Sequence, residues 1–211
     1  MEQKMLYLFK KVVSILLIVS VVSTLWHGNA CKAVSKEKEA KTVYAKFLLK
    51  QKRQTDTYPS FVICDLDRDG VPELMRKRDI ADSIHFYRYS GGKVKKIFMP
   101  YDDNYEMFPS VDGSIRFYAE NRIFSVRSYC SAGRALHYYQ YDRGKMTFLL
   151  ARNLLYAKDA NGNKNLYTYY QGSKKISKKT FKRLKQKYIG KSKKKKISFQ
   201  EQTKENIQKF L

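Results

Sequence analysis

The sequence predicts a mainly β fold: an antiparallel meander of sandwich, barrel or partial-propeller type, preceded by one helix and followed by a basic helix. Three observations predict it. Between residue 60 and about 171, short runs of alternating aromatic or β-branched residues start roughly every ten positions, the rhythm of hairpin-connected strands. Turn signals separate the runs: Ser90-Gly91-Gly92, Asp112-Gly113, Ala132-Gly133, Arg143-Gly144 and Asn161-Gly162. Asp-Gly and Asn-Gly suit tight hairpins because both central residues accept positive φ. No amphipathic helical stretch falls between the runs, so the crossovers of a parallel sheet are missing.

Residues 1–30 read as a secretory signal. Lys4, Lys10 and Lys11 form a basic start, Val12 to Trp26 an apolar stretch, and Gly28-Asn29-Ala30 a small-residue cleavage site. That stretch is shorter than the roughly 20 apolar residues that cross a bilayer. An uncleaved anchor and a lipoprotein attached at Cys31 are the alternatives, although a lipobox prefers a Leu-like residue where Gly28 stands. Residues 31–59 then hold one helix, 35–50, and a polar loop. Ala40, Val43, Tyr44, Phe47 and Leu48 make its apolar stripe, and Ser35 is its expected N-cap.

The β-rich domain spans 60–172. Its expected strands are Ser60–Cys64, Ser83–Tyr89, Val94–Met99, Ser114–Ala119, Arg122–Tyr129, Ala135–Tyr141, Met146–Ala151 and Leu166–Tyr170. Within it, Cys64 and Cys130 lie in strand-like contexts, where a disulfide and two buried thiols are both compatible with the pattern. Residues 173–211 form a Lys-rich segment packing on the same domain. Ser177 caps a helix over 178–189, with Ile176 and Phe181 as a hydrophobic staple and Gly190 at its end. Ile197 and Phe199 suggest a short strand, and Thr203 caps a last helical turn.

One segment carries chemistry. Residues 65–74 read DLDRDGVPEL. Asp65, Asp67 and Asp69 stand at alternate positions, so a curled loop brings their carboxylates to one point, and Gly70 permits the curl. Val71 would add its backbone carbonyl and Glu73 a fourth carboxylate. An all-oxygen shell is what Ca²⁺ takes, and four carboxylates so close repel one another without a cation. The loop departs from an EF-hand: Arg76 stands at position 12, and a strand rather than a helix leads in. A strand followed by DLDRDG also evokes the first motif of haloacid-dehalogenase phosphatases, but Asp69 replaces their Thr and their alternating βα units are missing.

The segment resembles the calcium loops of FG-GAP-type repeats, DxDxDGxxD. It is more similar still to the DxDxDGxPEL segment of many uncharacterised secreted proteins and lipoproteins of Gram-positive gut bacteria, and the hairpin over 85–97 shares that likeness. The resemblance covers residues 60–97 and implies calcium binding in an exported β-protein of a Gram-positive-type bacterium. It implies no activity.

Lys and Arg total 43 against 19 Asp and Glu, a net charge of +24, which favours polyanions. Export argues against nucleic acid and for an anionic cell-wall polymer such as teichoic acid, or a membrane surface. Thirteen basic residues and no acid lie between 174 and 196. Lys182, Arg183, Lys193, Lys194, Lys195 and Lys196 are the candidate polyanion contacts; a solvated helix face followed by a mobile tether, Lys191–Lys196, is the plainer reading. The tyrosines at 138, 139, 141, 167, 169 and 170 suit cross-strand packing, with sugar stacking as the alternative. Asp159-Ala160-Asn161-Gly162-Asn163 reads as a hairpin turn rather than a second metal loop. No nucleophile elbow, HExxH, phosphate loop or paired-carboxylate pattern is recognisable, so the expectation is a calcium-binding module of the envelope or medium rather than an enzyme; a polyanion-adhesion protein acting through the Lys-rich segment and an enzyme with an unrecognised site are the alternatives.

Overall fold

In the first strand, β1 (Ser60–Cys64), Phe61 and Ile63 face one apolar cluster while Val62 and Cys64 face another. A strand apolar on both sides must be covered on both sides, and the computed structural model shows the covers. It describes residues 35–51, 59–77, 84–100, 115–130, 133–159 and 162–211. The expected signal with Gly28-Asn29-Ala30, Cys31, most of the 51–57 loop and the Asp112-Gly113 turn lie outside them.

Two antiparallel sheets form an open sandwich flanked by helices. The smaller runs β12-β1-β2-β3-β4, where β2 is Glu73–Lys77, β3 His85–Ser90, β4 Lys93–Ile97 and β12 Gln200–Glu201. The larger runs β10-β9-β8-β7-β6-β5-β11. Its strands are β5 (Ile115–Tyr118), β6 (Ile123–Cys130), β7 (Gly133–Asp142), β8 (Lys145–Asp159), β9 (Gly162–Gln171), β10 (Lys174–Ile176) and β11 (Lys194–Ile197). Between the sheets, Met75, Phe86 and Ile97 meet Phe117, Phe124, Tyr139 and Met146. Phe124 stacks on Phe86 at 5.1 Å and on its neighbour Tyr139 at 5.5 Å between ring centroids.

Helix α1 (35–50) lays Ala40, Tyr44, Ala45 and Leu48 on the outer side of the smaller sheet, against Phe61 and Leu74. Ser35 is already helical rather than capping. Helix α2 (Lys178–Ile189) covers part of the outer side of the larger sheet with Phe181, Leu184 and Ile189. It begins as expected: the Ser177 Oγ accepts from the Thr180 N–H at 3.1 Å. It ends at Gly190 with φ 57 and ψ −130, a positive-φ stop outside the αL region.

The C-terminal segment joins the layers, which the sequence does not announce. After α2, β11 pairs with β5 at one edge of the larger sheet, and β12 pairs with β1 at an edge of the smaller. Helix α3 (Lys204–Gln208), capped by Thr203, then packs Ile207 beside α1. Lys194–Lys196 therefore belong to an edge strand, not a mobile tether. Exposed lysines on an edge also deter pairing with another chain.

Two further differences have local causes. β2 is missing from the expected strands because Glu73, Arg76 and Lys77 break its apolar pattern, yet all five of its residues are buried. β8 is much longer than Met146–Ala151 and carries a bulge opposite Tyr138 and Tyr139. The extra residue, Leu149, joins Leu150 beneath α2, so two successive leucines serve one face. Gly133 stands at the start of β7, where a Cβ would be 2.0 Å from the Leu154 carbonyl oxygen; Ala132 lies outside the described residues.

Candidate metal centre

The loop between β1 and β2 turns back through two positive-φ residues, Arg68 at 62° and Gly70 at 84°. Gly70 takes that conformation without cost, as its place in the motif predicts; Arg68 does not. Asp65 organises the turn: its Oδ1 accepts from the Arg68 N–H at 2.6 Å and its Oδ2 from the Gly70 N–H at 2.9 Å. Asp69 is exposed and accepts from the Val71 N–H at 2.8 Å.

The antiparallel pairing of β1 with β2 sets Cys64 opposite Glu73, which returns the Glu73 carboxylate to the loop it follows. Carboxylate oxygens of Asp65, Asp67 and Glu73 all lie within 4.8 Å of one another. Asp67 is 2% exposed and Glu73 4%. Glu73 is held from both sheets: its Oε2 accepts from the Leu66 N–H at 2.9 Å, and its Oε1 from the Tyr141 hydroxyl at 3.0 Å. Asp67 Oδ2 accepts from the Arg143 N–H at 2.8 Å, in the β7–β8 turn. Asp67 Oδ1 is buried and has no hydrogen-bond partner.

The orphan oxygen bears on what this group could hold. A buried polar atom left unpaired costs about 1–3 kcal/mol, more when charged, and here it sits among two other carboxylates. A cation beside Asp67 Oδ1 would give that oxygen a partner and relieve the mutual repulsion. The donor set is oxygen only, which favours a hard cation of the Ca²⁺ or Mg²⁺ type over Zn²⁺. The adjoining Cys64 carries a free thiol pushed up to about 12 by burial and by the Glu73 and Asp65 charges, so it remains protonated.

Charge without a cation is expensive at this position. Burial first, then the Asp67 and Asp69 charges, push the Glu73 carboxyl up to about 8 against the opposing hydrogen bonds. Burial likewise raises Asp67, against the Arg143 N–H bond and the nearby Asp69 N–H, with the Asp69 and Asp65 charges adding to the rise. The group opens on a cleft of about 480 Å³ whose other walls include Lys36, Arg88 and Gly144.

Of the five loop residues expected as ligands, the structure gathers Asp65, Asp67 and Glu73. Asp69 lies outside that group; Asp69 and Val71, the latter expected to offer its backbone carbonyl, both line the cleft onto which the group opens, and the Val71 side chain packs beside α1. Arg76, at the position where an EF-hand has its bidentate Glu, donates from Nε to Gln202 Oε1 at 2.8 Å and so latches the C-terminal segment. Tyr141 and Arg143 escape sequence reasoning. They lie 68 and 76 positions from their partners, and no local spacing could point to them. The candidate polyanion residues spread over two elements: Lys182 and Arg183 are exposed on α2, and Lys193 precedes β11. Within β11, Lys194 and Lys196 pair with Tyr118 and Arg116 on the outer face, while Lys195 pairs with Phe117 on the inner side.

No protein-family model matches the chain, and no curated protein matches it. Among solved structures, one titled "Structure of a Xanthomonas Type IV Secretion System related protein" is similar over 56% of this chain, with 11% identity and a TM-score of 0.40. The chain covers 58% of that protein, less than two thirds of its length.

Proposed function

We propose that this is an exported calcium-binding protein, a secreted or envelope-associated binding module of a Gram-positive-type bacterium, with one Ca²⁺ held by Asp65, Asp67 and Glu73. The observation that carries the reading is the unpartnered, buried Asp67 Oδ1 facing two more carboxylates. Calcium is preferred to magnesium because the flexible side chains of a loop and a strand suit its variable shell, whereas Mg²⁺ demands a tight octahedron. Export rests on residues 1–30 and suits an ion abundant outside cells. The role of the ion is structural: through Tyr141 and Arg143 its ligands are tied to the larger sheet, so binding clamps the two sheets together at one end. The reading assigns the chain no catalysis.

The test is thermal unfolding of the mature chain in chelator, in Ca²⁺ and in Mg²⁺. Calcium should raise the melting temperature and magnesium should do little. No shift at about 10 mM Ca²⁺, above the range of external modules, would overturn the proposal.

A further inference from the structure

Helix α2 leaves part of the larger sheet's outer face uncovered, and the residues that alternation places there are of two kinds. In register across β6, β7 and β8 stand Arg127, Leu136 and Arg152; in the next row stand Tyr129, Arg134, Leu154 and, on β9, Tyr167. Together they line a concavity of about 200 Å³ that contains three guanidinium groups and no carboxylate. Among the described residues none of the three arginines forms an ion pair with an acid. Arg134 and Arg152 are exposed, and Tyr167 is 49% exposed.

The groups are also held in place. The Arg134 guanidinium lies over the Tyr129 ring at 5.3 Å and the Tyr156 ring at 5.8 Å. Arg127 donates to the Tyr129 hydroxyl at 3.2 Å. The field is one-signed beyond the concavity as well: burial lowers the Lys185 ammonium on α2, and the nearby Arg152, Lys194 and Arg116 charges lower it further.

We infer that this face of the larger sheet is a binding site for an acidic polysaccharide, with Arg127, Arg134 and Arg152 taking its anionic groups and Tyr167 stacking on a sugar ring. A guanidinium matches a planar carboxylate, or a sulfate or phosphate, with two parallel hydrogen bonds. Strand spacing of about 4.8 Å puts Arg127 and Arg152 about 10 Å apart, so successive charged units of a polymer can meet successive arginines. The half-exposed tyrosine ring is flat and apolar on its face with a polar tip, suited to the hydrophobic side of a pyranose. Fixing Arg127 and Arg134 beforehand lowers the entropy lost on binding. A lipid surface fits less well, because its ligands insert an amphipathic helix with a broad apolar face, and here the apolar groups lie flat between charges. Single-stranded nucleic acid shares the stacking and charge chemistry; the export reading of residues 1–30 sets it aside.

The exposed lysines are the natural control. Binding of the mature chain to a polygalacturonate oligosaccharide is measured by calorimetry over a range of salt, beside an uncharged oligosaccharide, single-stranded oligo-dT and phosphatidylserine vesicles. Arg134→Gln/Arg152→Gln should weaken polygalacturonate binding about tenfold or more and flatten its salt dependence. Lys182→Gln/Lys193→Gln, which removes the same charge, should cost less than half as much on a logarithmic scale. Tyr167→Ala should weaken binding and leave the salt slope unchanged, and all variants should keep the wild-type melting temperature. The inference is overturned if polygalacturonate does not bind, if the lysine pair matters as much as the arginine pair, or if oligo-dT or vesicles bind more tightly than the glycan. The site lies on the opposite side of the sheet from the acidic group, so a calcium-independent protein would leave these outcomes intact.

Discussion

Replacing Asp67 by Asn separates the two consequences of the acidic group, its cost when empty and its affinity for a cation. The amide oxygen can keep the Arg143 N–H bond, which is 2.8 Å long in the wild type. The amide NH₂ then takes the place of the unpartnered Oδ1 and donates toward the neighbouring carboxylates, which lie within 4.8 Å. Two unit charges at that distance repel by about 3–4 kcal/mol at an effective dielectric of about 20, although protonation of Glu73 already relieves part of this near neutral pH. Removing one charge and satisfying one buried atom should therefore stabilise the metal-free protein by about 1–3 kcal/mol. The same change removes a ligand. Wild type at a thousandfold excess of Ca²⁺ over Kd gains about 4 kcal/mol, or roughly 8–16 °C in melting temperature for a domain of this size. In differential scanning calorimetry, Asp67→Asn should melt above wild type in chelator and below it in saturating calcium, so the two curves cross. A variant that is less stable than wild type in chelator would refute the argument that the empty group is strained. A variant that keeps the full calcium shift would refute the ligand assignment.

Three more outcomes follow from particular residues. In chelator, stability should fall as pH rises from about 4.5 to about 8, because a carboxyl whose pKa is raised in the fold holds its proton more tightly there than in the unfolded chain. Glu73 alone accounts for about 5 kcal/mol of loss, and the raised Asp67 adds in the same direction; urea midpoints across that range should show the fall, calcium should flatten it, and a rise with pH would contradict it. Gly133→Ala should destabilise by about 1–3 kcal/mol or more, since its Cβ would meet the Leu154 carbonyl at 2.0 Å; an unchanged urea midpoint would show that β7 and β8 can part. Arg68→Gly relieves a non-glycine φ of 62° and should raise the metal-free melting temperature by the equivalent of about 0.5–1 kcal/mol, while calcium still binds because the Arg68 contact to Asp65 is made by its backbone.

Some of this was written in local patterns. The short apolar run Ser60–Cys64, the cap and staple around Ser177, and the glycines of the Ser90-Gly91-Gly92 and Arg143-Gly144 turns each act within a few residues, and each appears in the structure as a strand, a capped helix or a positive-φ turn. The loop 65–73 announced its acidic character in the same way. What the sequence left open was which sheet each strand joins, and tertiary contact settled it. β2 could not be seen because burial of Glu73, Arg76 and Lys77 is a fact about their surroundings, not their own preference. The same holds for the lysines of β11, which become an edge strand only because β5 offers an edge. Membership of the acidic group was decided in three dimensions too. Local spacing offered Asp65, Asp67, Asp69 and Glu73 alike; pairing of β1 with β2 turned Glu73 inward beside Asp65 and Asp67 and left Asp69 outside, and Tyr141 and Arg143 reached the group from the second sheet. Sequence determines what a residue can offer within its own turn or strand; which oxygens end up buried together depends on where distant segments close, and only the folded chain carries that information.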